Sequence, residues 1–295
     1  LALSFLPRDF EILKSIKKIV ESCDLPVGLI KIVFESFLVP LFAMQPIGAD
    51  HIVPFLDCLK VFLMKLDLGG WHTNILDHLS LSDDVLVLDI LGLLVDHNYP
   101  YPLDENVCLA AYKIIFNFAD CPKKAWALAN FSCNPRSPCS NGLAEELFQY
   151  VQSNIEGWTD GAEISSAIRI LGSCAGHGTN PDTLFGILGK IDLKEPKIAW
   201  TLASALSNIS KHHSIPLNLI EKMLVIFEQT CFYKVAISVG QCLFSILTRE
   251  HCNFGDRIKK AIASQRFTIT DVYNEKYVQA LRKSNAALLN IIDMQ

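Results

Sequence analysis

The strongest constraint on this chain is an eleven-residue stretch whose pattern returns downstream. Lys123-Lys124-Ala125-Trp126-Ala127-Leu128-Ala129-Asn130-Phe131-Ser132-Cys133 is followed by weaker copies at 165–174, 203–210 and 240–247. With Asn130, Gly172, Asn208 and Ser245 taken as equivalent, the successive spacings are 42, 36 and 37 residues by subtraction. Self-similarity at that period marks stacked helical units. One such unit cannot bury its apolar face alone, so the chain is expected to fold as an array in which each unit contacts its neighbours.

Composition narrows the class. Of 295 residues 51% are apolar and only 19% are charged, so an ordered chain with a large buried surface follows and a disordered one does not. Length does not force a domain split, because a repeat array has no fixed size. A net charge of −5 and the lack of any Lys/Arg-rich block argue against direct nucleic-acid binding. The ten cysteines are scattered, mostly inside apolar helical stretches, which predicts reduced core thiols in a cytoplasmic or nuclear protein. The chain does not begin with Met, so it is expected to start inside a longer protein, and no secretory leader pattern precedes Phe10. The apolar run 27–42 is interrupted by Lys31 and Glu35, which predicts a soluble protein with no membrane span.

Read in order, Pro7 stands where a first helix opens, and Phe10, Ile12, Leu13, Ile16, Ile19 and Val20 recur at helical spacing. Pro26 opens a second helix running toward Pro40, and further helices are predicted over 51–66, 71–79 and 85–95. Ser82-Asp83-Asp84 is placed to cap the last of these. The prolines at 100 and 102 break the pattern, and a helix over 104–118 then leads to Asp120-Cys121-Pro122 and the stretch described first. Helices follow at 143–155, 162–174, 181–191, 196–210, 216–229, 235–249, 256–264 and 272–291. The expected fold class is therefore all-α, one repeat domain over 1–295, with divergent repeats over 1–100 and the clearest ones over 101–252. Capping helices fill 253–295, where Lys276, Arg282 and Lys283 form a solvated face opposite Val278, Leu281, Leu288 and Ile291.

Catalytic and metal signatures are missing. Cys133 and Cys139 lack a second close pair, and His212-His213 has no ligand-type partner one turn away. The glycine-rich run 172–178 has no Lys-Ser or Lys-Thr pair after it, and no Gly-x-Ser-x-Gly elbow occurs. The expectation is a protein that is not an enzyme and takes no cofactor or metal.

The repeat stretch carries a more specific signal. On a 3.6-residue helix Ala125, Leu128, Ala129 and Ser132 share one face, while Trp126 and Asn130 lie one turn apart on its flank. An asparagine amide can pair with one N–H and one C=O of an extended peptide, and a neighbouring indole offers an apolar wall and a cation-binding face. Asparagine is also a poor helix-interior residue, so its position calls for a cause.

Through Ala125-Trp126-Ala127-Leu128-Ala129-Asn130, Ala199-Trp200-Thr201-Leu202 and Ala205-Leu206-Ser207-Asn208-Ile209-Ser210, the chain resembles the armadillo-repeat family. Within that family these residues are similar to the third helix of importin-α-like nuclear import adaptors. The resemblance implies a right-handed α-solenoid of armadillo/HEAT type with peptide-binding residues Trp126, Asn130, Ser204 and Asn208. Trp126 and Asn130 match the family's Trp/Asn pair, whereas Ser204 stands at the Trp position before Asn208. Ile168 with Gly172, and Gln241 with Ser245, depart from it. Implied partners are a protein or extended peptide segment, of which a basic nuclear localisation peptide or an importin-β-like carrier is the specific case.

The residues alone leave plainer roles open. Trp126 packs between repeats and Asn130 caps a neighbouring turn on that reading, and Trp200, beside Ala199 and Leu202, is core. Three function classes follow: a non-catalytic interaction scaffold with its ligand on the concave face, an import adaptor, and a structural subunit whose apolar surface another chain covers.

Overall fold

The computed structural model describes residues 11–42, 49–101, 103–249, 253–265 and 274–294. Pro7 and Phe10 lie outside them, as does Cys252. Among the described residues the regular structure is entirely helical, in two compact units that meet in sequence at Pro138 and Cys139.

The first unit contains α1 (Glu11–Ser22), α2 (Val27–Phe37), α3 (Val39–Phe42), α4 (Ala49–Lys65), α5 (His72–Leu79), α6 (Leu86–Leu94), α7 (Glu105–Asn117) and α8 (Pro122–Cys133). Local chemistry sets several boundaries. Asp104 accepts a hydrogen bond from the Asn106 N–H and starts α7. Pro122 occupies the first position of α8, where its missing N–H costs nothing. The expected cap of α6 is made by Asp84, whose Oδ1 accepts from the Leu86 N–H at 2.8 Å.

Helices α1, α4, α6 and α8 pack successively in one layer, and α3, α5 and α7 in a second. Between the layers lie Phe34, Phe55, Phe62, Leu59, Leu88, Leu91, Leu128 and Phe131, all at most 1% exposed. Each such side chain contributes about 1.5–3 kcal/mol by burial, which is what holds helices of this length together.

The second unit contains α9 (Asn141–Asn154), α10 (Gly161–Cys174), α11 (Pro181–Lys190), α12 (Pro196–Ile209), α13 (Leu217–Gln229), α14 (Tyr233–Leu247), α15 (Gly255–Ser264) and α16 (Asn274–Met294). Asn180 accepts from the Asp182 and Thr183 N–H groups and Pro181 follows it, a strong start for α11. Helices α10, α12, α14 and α16 pack one on the next, with α9, α13 and α15 backing them. This succession is a stacked helical-repeat arrangement.

Small residues permit the close approach within the layer. A Cβ on Gly172 of α10 would lie 2.8 Å from Ala205 Cβ and 3.0 Å from its Cα on α12, and one on Gly240 of α14 would lie 2.7 Å from Ser284 Oγ on α16. In the first unit a Cβ on Gly92 of α6 would overlap the Trp126 indole of α8, 2.2 Å from Cζ3. On α16 Leu281 and Leu288 are buried and the Lys276, Arg282 and Lys283 side chains are exposed.

Candidate functional site

Asparagines in mid-helix have a cause in this structure. The last carbonyls of a helix lack intrahelical partners, and the next helix of the layer supplies them. In the first unit Asn130 Nδ2 donates to Gly92 O at 3.0 Å and Asn134 Nδ2 to Val95 O at 2.9 Å, closing the C-terminal end of α6. In the second unit Asn208 Nδ2 donates to Gly172 O at 2.9 Å, and His213 Nε2 lies 2.8 Å from Ala175 O, closing α10. The same device closes α12 in altered chemistry: Ser207 and Ser245 share a hydrogen bond of 2.9 Å, and the Arg249 guanidinium donates to Lys211 O. Each link spans 36 to 39 residues, so the repeat period is written in side-chain hydrogen bonds as well as in apolar spacing.

Of the residues expected at a ligand, Trp126 and Asn130 belong to the first unit, and Ser204 and Asn208 to the second. Asn130 is 2% exposed and directed at Gly92, while Trp126 is half-buried with its ring over the same glycine. Ser204 is exposed, and Asn208 is half-buried, its Oδ1 accepting from Lys211 Nζ at 3.0 Å. Sequence reasoning missed Asn134, His213 and Arg249; their common spacing from a helix end one period earlier is the signal that would have found them.

Trp200 departs from its expected core position. It is 39% exposed, because Ala199, Leu202, Ala203 and Leu206 take the inward register of α12 and leave Trp200 about 100° away from Ala199. Lys234 Nζ of α14 sits 5.2 Å from the centroid of its ring. Trp200, Ser204, Asn208 and Lys211 therefore form one ridge, and Lys234, Gln241, Ser245 and Arg249 form the ridge beside it.

The electrostatics of this face are one-sided. From Pro196 to Lys211 and from Tyr233 to Arg249 there is no Asp or Glu, and Lys197, Lys211, Lys234 and Arg249 are exposed. None of the four pairs with a carboxylate of the described residues, and Glu195, at the start of α12, places its carboxylate beside Gly161 of α10. In the corresponding layer of the first unit, by contrast, Lys17 pairs with Asp57 at 3.1 Å and Lys123 with Asp89.

A concavity lies on the α9–α11 side of this unit. It has a volume of about 480 Å³ and is lined by Ile155, Trp158, Ile164, Ile187 and Lys190 among others. Burial pushes the Cys58 and Cys242 thiols up to about 12, so both stay protonated in their helices. Among the described residues no group of three or more His, Cys, Asp or Glu side chains could hold a metal ion, and no helix is long and apolar enough to cross a membrane.

No family model, curated protein or solved structure matches the chain.

Proposed function

We propose that the protein is a non-catalytic interaction scaffold of armadillo/HEAT type, a right-handed solenoid that holds a segment of a partner protein along the layer formed by α10, α12 and α14. The observation that carries this reading is the α12–α14 face: an exposed indole, hydroxyls and amides, and four bases that pair with no carboxylate among the described residues. Side chains of a purely structural surface have no need of such a one-signed row, whereas an extended chain offers backbone groups for Ser204 and Gln241 and side chains for Trp200. Trp126, half-buried at the equivalent helix of the first unit, supplies an aromatic edge there.

Site-specific photocrosslinking tests the reading. A benzophenone side chain at Ser204, on the exposed ridge of α12, is expected to capture a discrete partner polypeptide from cell extract, and the same probe at Gln149 on α9 is not. Equal capture from both helices, or none from either, removes the scaffold face.

A second reading has its own observation. Helices α1 and α2 expose Ile19 (52%), Val27 (64%) and Ile32 (60%), which favours a structural subunit covered there by another chain. The import-adaptor reading makes an opposite electrostatic demand, because a Lys/Arg-rich peptide on α12 and α14 would face four like charges.

A further inference from the structure

The four bases of the α12–α14 face are arranged at its two ends. Lys197 and Lys234 stand in the first turns of their helices, with Trp200 next to Lys234, and Lys211 and Arg249 stand just beyond the last turns, joined through the Arg249 bond to the Lys211 carbonyl. Between the ends the floor is uncharged: Ser204, Ser207, Asn208, Ser238, Gln241 and Ser245. Trp200 and Lys211 are eleven residues apart, so the floor is about 16 Å long at a rise of 1.5 Å per residue. Five residues of extended chain cover that length.

We infer that the partner segment held on this face is acidic, an extended peptide carrying Asp or Glu side chains at both ends of a stretch of about five residues. The inference rests on the scaffold reading and adds the chemistry of the ligand to it. Carboxylates at that separation meet Lys197 and Lys234 at one end and Lys211 and Arg249 at the other, and the peptide backbone between them meets amides and hydroxyls. Among the described residues none of these bases is paired with a carboxylate that a ligand would have to displace. A nucleic acid strand is disfavoured as occupant, since the chain as a whole carries a charge of −5.

A display library of random peptides of about 15 residues, selected on the full chain, separates the outcomes. Acidic ligands are expected, with affinity falling as salt rises and falling about tenfold or more in the K234E/R249E double variant. Arg249 also bonds the Lys211 carbonyl, so thermal unfolding of the double variant is measured beside binding, and K197Q, at an exposed side chain outside that link, provides a milder second variant with a smaller loss of affinity and unchanged unfolding. Selection of neutral or basic peptides that still depend on Trp200 overturns the acidic assignment and leaves the scaffold reading standing. Selection of nothing removes both. Competition by a single-stranded oligonucleotide as strong as that by the acidic peptide also overturns the assignment, because the site is then a general polyanion surface.

Discussion

Replacing Gly172 by alanine tests the stacking of the repeat layer at its tightest point. The new methyl would stand 2.8 Å from Ala205 Cβ and 3.0 Å from its Cα, and the second of these is backbone that no rotamer change can clear. Carbon atoms pack at about 3.5–4.0 Å, so α10 and α12 must separate by roughly 0.5–1 Å. The Asn208 bond to Gly172 O is 2.9 Å long, and a shift of that size carries it past hydrogen-bond range. Overpacking costs about 1–3 kcal/mol and the lost bond about 0.5–1.5, offset by about 1 kcal/mol from the better helix propensity of alanine. The net expectation is a loss of about 0.5–3.5 kcal/mol, read as a lower urea midpoint of the second unit by circular dichroism. Ala205→Gly in the same chain removes the 2.8 Å Cβ contact while costing about 1 kcal/mol of helix propensity, so the double variant should be more stable than the sum of the two single losses, a coupling that independent changes would not show. A Gly172→Ala protein as stable as the parent, or a double variant whose losses simply add, refutes the close approach of α10 and α12.

Two further predictions concern the first unit. Asn130→Ala leaves the buried Gly92 carbonyl without its donor and should cost about 1–3 kcal/mol in chemical denaturation, whereas Asn208→Ala, at a half-buried position, should cost less. Burial lowers the pKa of His72 and of His78 below the ordinary 6.5, partly opposed at His72 by Asp67, and among the described residues His72 Nε2 and His78 Nδ1 find no hydrogen-bond partner. The unfolded chain therefore binds more protons than the folded one once pH drops through that value, and stability falls from there downward. Unfolding midpoints measured between about pH 7 and pH 5 should decline, and His78→Leu should flatten the decline, since the ring lies in an apolar setting 5.1 Å from Phe55 by ring centroids. A pH-independent midpoint contradicts the assignment.

Much of the architecture is readable from the chain because helix boundaries rest on local chemistry. Pro122, Pro181 and Pro196 open helices where the sequence places them, and Asp104 caps the helix it precedes. The inward faces of α8 and α12 likewise follow from the spacing of Ala125, Leu128 and Ala129, and of Ala199, Leu202 and Leu206. Trp200 shows where composition misleads: a large aromatic between apolar neighbours reads as core, yet its register turns it outward.

The sequence by itself determined the all-helical class and the period of the repeats, because these depend on propensity and on periodicity within one helix. Only the tertiary structure decided what the polar residues of the repeat stretch do. Whether an asparagine addresses a ligand or a helix end depends on a carbonyl 36 to 39 residues away, and no local pattern specifies that distance in space. The same holds for charge: Lys123 and Lys234 look alike in the chain, and packing gives the first a carboxylate and the second an indole.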